Sequence, residues 1–275
     1  MAREGIMLCY PFTWERFKKW GSQAWCQPKL NGDRNPVLIE NGEVTMFTSE
    51  RNIRVSLPHI NKQIKSLGLD NIELDGEAYC HGMGRGTMRS INGRTVNLHP
   101  DHELMDFYMF DIISDEPQEE RFTKLWSIGL ARCLNLYHVP TNLLRSQEEV
   151  EDFLVKTMAE GYEGIVLRQC GNIYDCTHST QMMKLKPRKS DKYKIIGVTE
   201  EIDKYGVPKD ALGAFTCVSH DGIPFNVGTG KVLDRAGREY WWKNSPIGLH
   251  LLVKYQELSE KKKLPVPPVA WEVVV

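Results

Sequence analysis

Lys29-Leu30-Asn31-Gly32-Asp33-Arg34 is the stretch whose reading decides the fold. It follows Ala24-Trp25-Cys26, an apolar run that reads as a buried strand ending at Gln27-Pro28. Asn31-Gly32 is a strong two-residue turn signal, because both residues tolerate positive φ. The pattern predicts Lys29 at a strand edge, facing whatever the turn encloses, with Arg34 returning on the next strand. A lysine amine becomes a nucleophile when desolvation or a nearby cation lowers its pKa. An arginine in that place offers a fork for phosphate. The hexapeptide alone fits an ordinary hairpin lysine equally well.

Four further segments break the tie. They are Leu74-Asp75-Gly76-Glu77, Phe107-Tyr108-Met109-Phe110-Asp111, Glu163-Gly164-Ile165-Val166-Leu167-Arg168 and Met183-Lys184-Leu185-Lys186-Pro187. One short motif is weak evidence, but five in register are strong. In this order and spacing they resemble the motif series of the covalent nucleotidyltransferases, which comprise DNA ligases, RNA ligases and mRNA capping enzymes. The likeness is greatest to the small ATP-dependent DNA ligases of bacteria and their phages. It runs from about Gln27 to Pro187, and a weaker one continues into the last third.

The resemblance implies three nucleotidyl transfers: ATP to an enzyme lysine, lysine-AMP to a DNA 5′-phosphate, then displacement of AMP by a 3′-hydroxyl. It implies Lys29 as the nucleophile, with Arg34 among the residues that contact ATP. It places the α-phosphate beside Lys184 and Lys186, which alternate around Leu185 and so face one side of a strand. There they would lower the Lys29 pKa and stabilise developing charge. Glu77, on an Asp75-Gly76-Glu77 turn, is expected at the ribose or a metal-bound water, and Glu163 at the metal. Both fit Mg2+ (or Mn2+), which prefers carboxylate and phosphate oxygens. Phe110 matches the base-stacking aromatic and Gln27 the position that reads the adenine edge. Arg51 is the expected grip on the nick 5′-phosphate, with Arg54 as runner-up.

Three departures from the family pattern stand out. Asn31 occupies a position where Asp is usual. Ser49-Glu50-Arg51 is one residue longer than the common Ser-Arg. A final basic motif is expected beyond Leu264-Pro265, yet no Lys or Arg follows Lys263 in the sequence, so either Lys261-Lys262-Lys263 substitutes or self-adenylylation is slow.

With 275 residues the chain is long enough for two modest domains. The expected fold class is α+β: a mainly antiparallel-sheet nucleotidyltransferase domain over 1–187, then a small OB-fold β-barrel over 188–275. In the first, strands are predicted around 24–29, 36–40, 43–48, 72–79, 107–113, 165–168 and 182–186. Helices are predicted over 58–67, 122–134 and 148–158, and Thr13 is a possible cap for a helix bearing Trp14, Phe17 and Trp20. The segment 81–100 reads as a loop with a short helix. Short strands at 193–198, 214–219, 225–227 and 249–258, with a helical patch at 233–242, suggest the barrel.

Formal net charge is only −1. Residues 184–275, however, carry 16 Lys+Arg against 11 Asp+Glu. An acidic body with a basic C-terminal third suits catalysis joined to phosphate tracking. Seven scattered cysteines form neither a disulfide framework nor a Cys-x-x-Cys zinc pair; Cys170, Cys176 and His178 are a weak ligand set. No bilayer-spanning run or signal peptide is evident, so a cytoplasmic protein is expected. Nicked duplex DNA is the expected partner and a monomer the expected state. Nothing ahead of Lys29 resembles a nicotinamide-binding domain, which favours ATP over NAD. The rival readings are an RNA ligase, a capping guanylyltransferase and a non-catalytic DNA-end-binding relative.

Overall fold

The computed structural model describes residues 3–259 and 261–274. Met1, Ala2 and Val275, which figure in the reading of the two termini, lie outside the described residues. The chain divides into two compact units between Lys186 and Pro187.

The first unit holds two five-stranded sheets. One runs Leu8–Pro11, His178–Leu185, Gly164–Arg168, Ala24–Lys29 and Asn142–Leu144 in spatial order. The other runs Glu43–Met46, Asp33–Glu40, Ile72–Tyr79, Asp106–Ile112 and Leu136–His138. Pairing is antiparallel except at Leu8–Pro11 with His178–Leu185 and at Asp106–Ile112 with Leu136–His138. Phe17, Val150, Ile165, Leu167 and Met183 form the core under the first sheet. A larger core joins Val37, Leu74, Phe107 and Met109 to Ile60 and Ile64 of helix Pro58–Ser66 and to Met88 and Ile91 of helix Arg85–Asn92. Thr13 caps helix Trp14–Lys19, its hydroxyl accepting from the Arg16 N–H at 3.3 Å.

The Lys29 turn departs from expectation. Ala24–Lys29 pairs with Gly164–Arg168 and Asn142–Leu144, whereas Asp33–Glu40 pairs with Ile72–Tyr79. Residues 30–32 therefore cross from one sheet to the other instead of closing a hairpin. Neither Asn31 nor Gly32 has positive φ. Gly32 is required for another reason: a Cβ there would lie 2.3 Å from the Ala78 carbonyl oxygen. Asp75-Gly76-Glu77 is likewise no turn. It lies inside strand Ile72–Tyr79, with a bulge between Asp75 and Gly76 against the next strand. The helix expected over 122–134 runs instead over Gln118–Ser127 and stops before Gly129.

The second unit holds a five-stranded antiparallel sheet, ordered Pro224–Val227, Pro208–Val218, Lys189–Ile202, His250–Tyr255 and Val269–Val274, and a two-stranded one of Glu257–Leu258 with Pro265–Val266. Its core gathers Ile195, Leu212, Phe215, Val227, Leu251, Val253 and Ala270. The helical patch forms as Arg235–Lys243. Strand Lys189–Ile202 begins two residues after the expected boundary at 187 and is 14 residues long. Register shifts after Ile195, Thr199 and Glu200 let it curve.

Candidate active site

Lys29 ends its strand opposite Gly164, and its carbonyl accepts from the Glu163 N–H at 3.1 Å. A Cβ on Gly164, at φ +151, would lie 2.2 Å from the Leu185 carbonyl oxygen. Only glycine permits this approach, and it brings together charged residues at the ends of three strands. Lys29 Nζ donates to Glu163 Oε2 at 2.5 Å, and Lys186 Nζ donates to Glu163 Oε1. Lys184 lines the same pocket, whose volume is about 330 Å3.

Burial alone would push the Lys29 pKa down, but the Glu77 and Glu163 carboxylates reverse that and leave it raised. Glu163 resists its own desolvation and is held below the usual carboxylate range by Lys29 and Lys186. Desolvation and the positive charge of Lys29 lower Lys186. Without ATP the expected nucleophile is thus an ammonium clamped by a carboxylate. Glu77 is pushed up by burial, against the opposing pull of Lys29, a hydrogen bond from Gly32 N at 2.5 Å and Arg34.

The end of the pocket around Phe110 is built from arginines. Arg34 Nε donates to Asp75 Oδ1 at 2.9 Å, a second nitrogen reaches Asp75 Oδ2, and Nη1 donates to the Met7 carbonyl at 2.6 Å. Tyr174 donates to Asp75 at 2.6 Å while accepting from Arg34 at 3.0 Å. The Arg34 fork is therefore held by the protein itself. Its guanidinium lies 5.3 Å from the Phe110 ring centroid, and that of Arg168 lies 5.5 Å from the same ring. Arg168 is fixed by Asp111 at 2.7 Å and donates to Gln27 Oε1 at 3.0 Å. The Gln27 amide nitrogen donates to the Phe110 carbonyl and to Thr141, both at 3.0 Å. The Gln27 amide N–H groups are thus engaged, and its oxygen accepts from Arg168.

The structure brings together Gln27, Lys29, Arg34, Glu77, Phe110, Glu163, Lys184 and Lys186 around one pocket or its immediate wall. It does not bring Arg51 there. Arg51 adopts φ 61, pairs with Glu73 at 2.5 Å and donates to the Gly5 carbonyl at 3.0 Å. The extra residue in Ser49-Glu50-Arg51 carries its side chain onto another partner. Arg54 is also engaged, by Asp33 at 3.7 Å and the Asn92 carbonyl.

Sequence reasoning gave no role to Asp75, Asp111, Arg168 and Tyr174, which hold the site in shape. The available signal was a charged residue inside an apolar strand, which needs a buried partner. Arg85 was also missed. No group of three or more His, Cys, Asp or Glu suited to a metal occurs among the described residues, so Cys170, Cys176 and His178 form no such set. Glu77 and Glu163 nevertheless fit Mg2+, which commonly takes one or two carboxylates and completes its shell with phosphate and water.

Residues 6–186 match the ATP-dependent DNA ligase domain model. The chain is 26% identical over 181 residues to the multifunctional non-homologous end joining protein LigD of Pseudomonas aeruginosa, covering 62% of this chain and 21% of that protein. A DNA ligase of Haemophilus influenzae is 25% identical over 193 residues, covering 69% of this chain and 68% of its own. This chain therefore spans about a fifth of LigD but two thirds of the shorter ligase. Among solved structures, a Lig E DNA ligase matches with TM-score 0.77 at 18% identity, covering 99% of this chain and all of that one. The ligase of bacteriophage T7, in complex with ATP, matches with TM-score 0.56 at 15% identity, covering 97% of each chain. The expected fold class, α+β followed by an OB-fold, agrees with these neighbours. No helix among the described residues is long and apolar enough to cross a membrane. With two thirds of its length matched by that model, this chain belongs to the ATP-dependent DNA ligase domain family.

Proposed function

We propose that this chain is an ATP-dependent DNA ligase that seals nicks bearing a 5′-phosphate and a 3′-hydroxyl through AMP carried on Lys29. The observation that carries the reading is the Lys29–Glu163–Lys186 cluster at the wall of a pocket whose other end presents Phe110 and Gln27.

The residues divide the work. Lys29 Nζ must lose a proton before it attacks the α-phosphorus; an N–P bond then forms as the bond to pyrophosphate breaks. Glu163 opposes that loss while it pairs with Lys29, so the pair has to open when ATP arrives. Lys184 and Lys186 then stabilise charge on the phosphate oxygens. Glu163 and Glu77 would hold Mg2+, which would supply counter-charge to the phosphate oxygens. Arg168 and Arg34 keep Phe110 and Gln27 in place for the base, the ring face serving any purine and the free Gln27 lone pair able to accept from adenine N6. AMP next passes from Lys29 to the DNA 5′-phosphate, and the 3′-hydroxyl displaces it.

Residues 1–187 are assigned the nucleotidyl transfers and 188–275 the grip on duplex backbone. A monomer is the proposed working state, and the cytoplasm, where ATP is at hand, the proposed compartment. Intact mass before and after incubation with ATP and Mg2+ tests the reading. One AMP on the wild type and none on Lys29→Ala is expected, followed by nick sealing by the wild type alone. An adduct that survives Lys29→Ala, or none on either protein, would sink it. GTP supplied in place of ATP separates a capping guanylyltransferase from a ligase.

A further inference from the structure

The cations lining the Lys29 pocket do not share the same situation. Lys29 and Lys186 are held by Glu163, Arg34 by Asp75 and Arg168 by Asp111. Lys184 stands where the α-phosphate is expected. Arg85 lines the pocket too, but its partner is neutral: Nη1 donates to Asn31 Oδ1 at 2.7 Å. Its remaining N–H groups have no hydrogen-bond or carboxylate partner among the described residues. A guanidinium so placed retains its full charge and part of its fork for a ligand.

Arg85 is also fixed in position. It opens helix Arg85–Asn92, which is fastened to the Lys29 turn at both ends. At the near end Arg85 holds Asn31, two residues from Lys29. At the far end Asn92 Nδ2 donates to Asp33 Oδ2 at 3.2 Å. Met88 and Ile91 bury the helix between these two ties. Little side-chain freedom remains to be lost when an anion binds, which favours affinity. The neutral side chain at position 31 matters here, since an aspartate in its place would neutralise this arginine.

We propose that Arg85, positioned by Asn31, grips a second phosphate group at this pocket, distinct from the α-phosphate beside Lys29. The inference rests on the ligase reading for the identity of its ligand, and two sources share that chemistry: the pyrophosphate part of ATP and the 5′-phosphate of a nick. Arg51 and Arg54, the arginines expected to serve the nick, are engaged elsewhere, so the nick phosphate as well as pyrophosphate is open to Arg85.

The test uses the full chain in a Lys29→Ala background, where no adduct forms and binding alone is read. Two quantities are measured for Arg85, Arg85→Ala, Arg85→Gln and Arg85→Lys: affinity for inorganic pyrophosphate, and the ratio of affinities for nicked duplex with a 5′-phosphate and with a 5′-hydroxyl. A loss of roughly 10- to 100-fold is expected for Arg85→Ala in one of the two, the size of a charge-assisted hydrogen bond, with partial recovery in Arg85→Lys. Loss of the 5′-phosphate preference assigns the nick, and loss of pyrophosphate affinity assigns ATP. Arg85→Gln, which can still bond Asn31, should lose as much as Arg85→Ala; if it behaves like the parent, Arg85 only braces the turn and the proposal fails. It fails equally if all variants match the parent in both measurements. Absence of an AMP adduct on the wild type would count against the ligase reading instead, since neither binding measurement depends on that adduct.

Discussion

At the residue scale, the Lys29–Glu163 contact sets how the nucleophile responds to pH. The Lys29 pKa is raised and that of Glu163 lowered. The stabilisation from Lys29 is fully present below its unfolded value, about 10.4, and is lost as pH rises through the higher folded value. The stabilisation from Glu163 is present above its unfolded value, about 4.3, and is lost as pH falls through the lower folded value. The pair is therefore intact across neutral pH. Glu163→Gln removes the anion that keeps Lys29 charged, so the pH midpoint for acylation of Lys29 by an amine reagent, read by peptide mass, should move to lower pH. An unmoved midpoint would show that Glu77 alone governs Lys29. Gly32 makes a separate point. Alanine there would clash with the Ala78 carbonyl and disturb the hydrogen bond from Gly32 N to Glu77. Gly32→Ala should cost about 1–3 kcal/mol in urea unfolding, more than the Gly→Ala change at exposed Gly42, where an added methyl would meet nothing within 4 Å but φ is +73.

At the scale of elements, strands 24–29 and 72–79 and helix 58–66 were legible because their apolar residues keep a clear period. The turn between Lys29 and Arg34 was misread for a physical reason. Asn-Gly suits a tight hairpin, but the same pair also suits a close backbone crossing, and local sequence does not distinguish the two. The candidate catalytic side chains were legible through their motif spacing. Their supports were not, because partners such as Asp111 with Arg121 and Arg168 are 10 and 57 residues apart. Asp111 is fully buried and accepts from Arg121 Nε at 2.8 Å and from Arg168 at 2.7 Å. Removing one member of such a network leaves uncompensated charge. Asp111→Ala should therefore lose about 3–5 kcal/mol of stability by denaturant titration. A loss below about 1 kcal/mol would mean that water reaches the two arginines once the carboxylate is gone.

At the scale of the whole molecule, the near-zero net charge conceals how charge is used. Asp75, Asp111, Glu77 and Glu163 are committed to cations or backbone inside the first unit. They contribute little to the field that duplex DNA meets. The basic excess over 184–275 remains, and Lys261, Lys262 and Lys263 are all exposed. Binding to nicked duplex should accordingly fall linearly on a log–log plot against salt, by about 0.9 in slope for each phosphate neutralised. Sequence should matter little, because backbone contacts carry no base information. Replacing the three lysines by glutamine should flatten the slope by about 2–3 if all of them neutralise phosphates. If the Lys29 pocket holds the nick phosphate, the 5′-phosphate preference should persist in that variant. An unchanged slope would exclude these lysines from the backbone contacts and turn attention to other basic residues of the second unit, such as Lys231 and Lys254 beside Trp271.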